Sequence, residues 1–112
     1  MKIVDQNTIQ AVGVTHDPDI KKKVLISKGE IHKLMMFGSA TLKPGQKVTP
    51  HSHETMTEVF YIQQGKALFT VNGEDHILEK GHCITIEAKE LHSQENPFKE
   101  PVEWLYFGIA LD

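Results

Sequence analysis

Turn-forming residues interrupt this chain at short intervals, and the runs between them are rich in β-branched and aromatic side chains. Lys43-Pro44-Gly45 reads as a tight turn, with proline presetting one φ and glycine supplying the conformation proline cannot adopt. Asn72-Gly73 falls between two alternating runs and is the strongest short-range hairpin signal a sequence can carry. Asn96-Pro97 and Pro101 break the chain before a last apolar run. Helical periodicity is nearly absent. The combination predicts a β-sandwich or barrel, with strands over residues 8–14, 22–27, 31–42, 58–63, 66–71, 75–78, 82–86 and 102–110.

The chain's 112 residues suit a single domain over residues 1–112, and a hydrophobic content of 39% is enough for one core without disulfides. No apolar run approaches the length of a membrane span. Met1 to Gln10 holds no apolar signal core, and the lone Cys83 suits a reducing compartment, so the expectation is a cytoplasmic protein. A net charge of −3 argues against nucleic acid as a partner. All 12 basic residues are lysine, so no guanidinium fork is present to grip a carboxylate or phosphate bidentately. Lys21-Lys22-Lys23 is expected on an edge strand, where lysines deter strand-to-strand aggregation, in preference to the alternative of an anion-binding role.

Seven histidines is a large number for this length. His51 and His53 are two residues apart, and in a strand such residues share a face. Glu58 follows, sharing its strand face with Phe60 and Ile62. That face is apolar and should look inward, where an ionised carboxylate is costly unless a positive charge meets it. A metal ion meets it well, and His92 could close the set from across the barrel. Three imidazoles and one carboxylate suit divalent manganese, iron, cobalt, nickel or zinc rather than magnesium or calcium, with one ion expected per chain. A six-coordinate ion would keep two positions open for water, oxygen or substrate.

These residues carry a specific resemblance. Residues 45–65 read G-x5-H-x-H-x4-E-x6-G, which is similar to the first motif of the cupin superfamily at every fixed position. Residues 81–96 resemble the second motif, with Gly81, His92 and Asn96 in register. Glu87 and Lys89 stand where that motif usually has proline and glycine, which bears on the turn before His92 rather than on the ligand. The resemblance implies an all-β, double-stranded β-helix (a jelly-roll or cupin barrel) in a single domain. It further implies His51, His53, Glu58 and His92 as metal ligands, and a dimeric assembly.

Other residues read more plainly. His16, His32 and His76 match no motif and are expected at the surface, and His82 in an exposed turn. Thr57 stands where a zinc-protease H-E-x-x-H would need its second histidine, and no nucleophile elbow or phosphate loop is present. Cys83 is expected as a small buried core residue, and Met35, Met36 and Met56 as core filling. Glu54, Glu87 and Glu90 lie near the ligands, but strand parity aims none of them inward, so no general acid or base is assigned.

The function expected is a metalloenzyme acting on a small organic molecule that chelates the metal, by dioxygenase-like or enolising, isomerase or lyase chemistry. The alternative is a metal-bearing binding or sensor module without turnover. With no arginine, a charged ligand would have to be held by the metal, a lysine or backbone amides. The expected ligand is therefore small and partly apolar, with two adjacent oxygens and its remainder against Phe60 and Ile62. Neither nucleic acid nor membrane is expected as a partner. The run from Val102 to Leu111 is apolar on both alternating faces, so one face wants a partner, and a homodimer is expected.

Overall fold

The computed structural model describes residues 1–15 and 17–112, so His16 lies outside the described residues. After a 3-10 turn at Gln6–Thr8, ten strands follow in chain order. They are β1 (Val12–Val14), β2 (Asp17–Ile26), β3 (Leu34–Leu42), β4 (Lys47–His51) and β5 (Met56–Gln64), then β6 (Lys66–Val71), β7 (Glu74–Glu79), β8 (Cys83–Ile86), β9 (His92–Glu95) and β10 (Val102–Ala110). All pairings are antiparallel. A six-stranded sheet has the order β1-β2-β3-β10-β5-β8, and a four-stranded sheet the order β4-β9-β6-β7. This is the all-β jelly-roll barrel that the motif resemblance implies, and it agrees with the sandwich or barrel that the turn spacing predicts.

Period-two alternation decides what the two sheets bury. Ile20, Ala40, Leu42, Phe60, Ile62, Ile86, Val102 and Trp104 come from the larger sheet, and Val48, Ala67 and Phe69 from the smaller. Together they form one core between the sheets. The rings interlock: Phe60 lies edge-on to both Phe69 and Trp104, at centroid distances of 5.3 and 5.8 Å, and stacks on Tyr106 at 5.4 Å. Offset and edge-on aromatic contacts of this kind add to what area burial alone contributes. Gly65, which closes the first motif, is required on two counts. Its φ is +80°, and a Cβ there would come within 2.3 Å of the Pro101 carbonyl oxygen.

Several expectations are corrected here. Lys21 to Lys23 do not sit on an edge strand, because β1 covers β2 and Lys22 pairs with both Val12 and Ala40. Cys83 is exposed rather than buried. Its apolar neighbours Ile84 and Ile86 occupy the inward positions of β8, and alternation turns the thiol outward. His32, His76 and His82 are exposed, as expected.

Two strands escaped the sequence reading, β4 and β9. They are polar (KVTPH and HSQE), and β4 contains Pro50. Proline is tolerated because β4 is an edge strand and bulges there: three steps from Val48 to His51 oppose two from Gln94 to His92.

Candidate metal centre and its cavity

His51 is the last residue of β4, and the bulge beside Pro50 sets it directly opposite His92 on β9. His53 lies beyond the strand end, so shared strand parity does not bring the first two imidazoles together. Its backbone is instead fixed from across the barrel, where the Lys89 amide donates to the His53 carbonyl at 2.7 Å. Glu58 projects from β5, paired with Gly108 and Ile86. The sequence thus supplies the residues, while two loops and three strands set their convergence.

One ligand-capable atom from each of His51, His53, Glu58 and His92 lies within 4.8 Å of the others. Opposite donors on an ion with bonds near 2.1 Å stand about 4 Å apart, so the cluster has the right span. The histidine tautomers follow from their partners. His51 Nδ1 contacts the Thr49 carbonyl at 2.8 Å, and His92 Nδ1 the Glu90 carbonyl at 2.9 Å. A carbonyl oxygen only accepts, so each Nδ1 carries the proton and each Nε2 keeps its lone pair. His53 Nε2 and His92 Nε2 then approach Glu58 Oε1 at 3.0 and 3.3 Å.

Glu58 Oε1 and His92 Nε2 are both buried, and neither has a hydrogen-bond partner among the described residues. Two lone-pair-bearing atoms this close and this dry need a cation between them, either a proton or a metal ion. The donor set fits a divalent transition metal. Without one, burial pushes the His92 imidazole toward its neutral form, but the Glu58 carboxylate, the Glu90 carbonyl and the charges on both acids outweigh it. The net result is a pKa raised above the usual histidine value. Burial, then the Glu58 charge, raises the Tyr106 phenol to about 12.

The loop before His92 shows how its two departures from the motif are accommodated. Lys89, where glycine is usual, takes the left-handed conformation that glycine favours, with φ of +73°. Glu90 ties the turn by accepting the Glu87 amide at 2.8 Å. Asn72, at the hairpin tip predicted from Asn72-Gly73, reaches the same loop. Its side-chain carbonyl accepts the Leu91 amide at 3.0 Å, and its amide donates to Glu90 at 3.1 Å. Asn96 braces the other end of the second motif. Fully buried, it donates to the Leu42 and Glu100 carbonyls and accepts the Phe98 amide.

The cluster opens on a cavity of about 280 Å³, at the small end of ligand pockets. Phe60 lines it, whereas Ile62, two residues further along the same face, is fully buried in the core and does not. Met35, Met36 and Met56 line the cavity instead of filling the core. Gly108 gives Met56 its seat, because a Cβ there would stand 2.4 Å from the Met56 sulfur. Lys22, Gln94, Trp104 and Tyr106 also line it, and sequence reasoning named none of them for this role. Two-residue parity could have found Lys22, which shares a strand face with the buried Ile20. Glu54 and Glu87 are exposed, and neither they nor Glu90 line the cavity.

A family model described as Cupin domain matches residues 38–108. An oxalate-binding protein from Thermotoga maritima is 33% identical over 94 residues, covering 83% of this chain and 78% of that protein. The crystal structure of a predicted oxalate decarboxylase, also from Thermotoga maritima, superposes with a TM-score of 0.90 at 29% identity, covering 98% of this chain and 100% of that one. A sugar phosphate isomerase from Silicibacter pomeroyi shares the fold alone, with a TM-score of 0.81 at 17% identity over 96% of this chain and 75% of that one.

Proposed function

This chain belongs to the cupin family, and we propose that it is a metal-dependent member that binds a small chelating organic molecule through that molecule's own oxygens. The observation that carries this reading is the lone-pair cluster of His51, His53, Glu58 and His92, opening on a small cavity with mainly apolar walls. A divalent transition metal held by these four residues would supply Lewis acidity toward a carbonyl or enolate oxygen.

The chain's own residues do the rest. The Thr49 and Glu90 carbonyls hold two imidazoles in the ligating tautomer. The Phe60–Tyr106 stack and the methionines exclude water from the ligand's apolar part. Tyr106 keeps its phenolic proton through neutral pH, so it offers a hydrogen bond rather than a base.

Turnover would take the form of dioxygenase-like or enolising chemistry. A second reading, binding without turnover, is favoured by the lining itself. Among the described residues, the titratable side chains lining the cavity outside the ligand set are Lys22 and Tyr106, an ammonium and a phenol. Neither is a ready proton acceptor. The name of the oxalate-binding relative points the same way.

Elemental analysis should find about one transition metal per chain, lost to a strong chelator and restored by manganese, iron, cobalt, nickel or zinc. No metal after purification, and none taken up on incubation, would overturn the reading. Mass spectrometry of a bound chelating molecule, before and after incubation in air, then separates turnover from binding alone.

A homodimer is the expected assembly. Leu105, Phe107 and Ile109 put an apolar stripe on the outer face of β10, half-buried to exposed, beside exposed Tyr61. A monomeric mass by light scattering at micromolar concentration would refute it.

A further inference from the structure

The cavity carries a second polar cluster of opposite character to the first. The metal-ligand end presents lone pairs. The other end presents donors that have nothing to donate to. Trp104 Nε1 and Gln94 Nε2 are buried and make no hydrogen bond, and each residue is 2% exposed. Lys22, half-buried, forms no salt bridge or hydrogen bond among the described residues, although Lys21 and Lys23 on either side each donate to a backbone carbonyl. All three unmet groups belong to residues that line the same cavity as His51, His53 and Glu58.

Their placement follows from sheet register. Lys22, Ala40, Trp104 and Ile62 form one rung across β2, β3, β10 and β5. Glu58 stands four residues along β5 from that rung, which sets the donors apart from the ligating atoms along the cavity. Gln94 faces the same space from the other sheet, on β9 beside Val48 of β4. The indole is held by edge contacts to Phe60 and Phe69 at 5.8 and 5.6 Å, so its N–H direction is fixed by packing. Buried donors left unmet are costly, and a fixed donor with an ammonium nearby takes an anionic oxygen best.

We propose that Lys22, Trp104 and Gln94 form an anion subsite that receives a distal carboxylate of the ligand while its chelating end meets the metal. The proposal rests on the metal-bearing reading above and narrows its ligand class to small chelating acids with a second acidic group. It also answers the missing arginine, since one ammonium and two neutral donors take the part of a guanidinium fork. The partly apolar ligand expected from the sequence, with two adjacent oxygens and no charge at its far end, would leave all three donors unmet.

The test uses the zinc-loaded full chain, its zinc content measured, and two matched pairs of 2-hydroxy acids. Malate is compared with 2-hydroxybutyrate, and 2-hydroxyglutarate with 2-hydroxypentanoate. Each pair shares its chelating end and differs in the distal carboxylate. Calorimetry gives the affinities, and Trp104, the single tryptophan, reports by fluorescence. In at least one pair the diacid should bind about 10- to 100-fold more tightly, the range for charge-assisted hydrogen bonds. The diacid alone should shift the indole emission. That affinity ratio should fall to near one in Lys22→Met and drop several-fold in Trp104→Phe, which keeps the ring packing but removes the N–H.

A ratio near one in the unaltered protein, or one unchanged by Lys22→Met, overturns the subsite while leaving the metal reading intact. If none of the four acids binds a chain carrying one zinc, both the subsite and the chelating-ligand reading fall. A chain that takes up no zinc overturns the metal reading together with the subsite.

Discussion

The floor and the rim of this barrel are built on opposite principles. At the floor, Leu42, Ile62, Ala67, Phe69 and Val102 are completely shielded from solvent, apolar, and in contact across both sheets. At the rim, His51, His53, Glu58 and His92 converge, and Glu58 Oε1 and His92 Nε2 are buried with no hydrogen-bond partner among the described residues. The floor is stable by itself and asks for nothing further. The rim is tolerable only because the floor holds it in place, and its unmet lone pairs are what make it useful. Stability and function are therefore separable here, and substitutions should divide cleanly between the two.

The largest effect belongs to the floor. Phe69→Ala removes a fully buried ring that packs edge-on against Phe60 and Trp104, and should cost about 3–5 kcal/mol. Denaturant unfolding measures that loss, and the folded fraction should still carry metal. A rim substitution should do the reverse. His53→Ala removes one of the four proposed ligands and should weaken metal affinity by more than the roughly 10- to 100-fold typical of losing a supporting residue. Circular dichroism should be unchanged, and competition against a coloured chelator reads the affinity. If Phe69→Ala strips the metal from folded chains, or His53→Ala unfolds the barrel, the separation fails.

How much the sequence disclosed follows the same division. The floor was legible because alternation of β-branched and aromatic residues is a direct imprint of burial, and strands such as Lys66–Val71 and Val102–Ala110 match their expected bounds. That His51, His53, Glu58 and His92 belong together was legible by spacing. Their means of support was not, because β4 and β9 are polar and short, and Pro50 disguises a strand that bulges. Cys83 was misjudged because its isoleucine neighbours mark the opposite face. Lys22 was misjudged because a run of three lysines looks like a solvated edge, whereas only its middle member turns inward between Val12 and Ala40.

Acidity offers a subtler probe of the rim. In the metal-free chain the His92 pKa lies above the unfolded value of 6.5, so protonated His92 favours the fold. That contribution is complete below pH 6.5 and is lost as pH rises through the raised folded value. The metal-free melting temperature should therefore fall between pH 6 and pH 8, and this slope should vanish in His92→Gln. Metal loading should reverse the trend, because ligation needs the neutral imidazole. Equal slopes with and without metal would refute the assignment of His92 to the cluster.

The smallest effect concerns the turn between the two regions. Lys89→Gly relieves a left-handed backbone at φ +73° and should stabilise the chain by about 0.5–1 kcal/mol, the relief being partly offset by glycine's greater freedom when unfolded. A shift of the urea midpoint at constant slope would register it. The amide that donates to His53 is retained, so metal affinity should hold.

Asn72 gives the barrel an unusual liability. Hairpin tips are ordinarily the places where a chain accepts inserted residues, affinity tags or a fused domain with little consequence. Here the tip is fastened to Leu91 and Glu90 by both halves of one side-chain amide, and its own backbone amide donates to the Leu91 carbonyl at 2.7 Å. Leu91 is the residue immediately before His92. Anyone grafting a reporter or linker into this protein would thus find the most inviting loop wired to the least forgiving residue, and should choose the exposed turn at Gly29 instead.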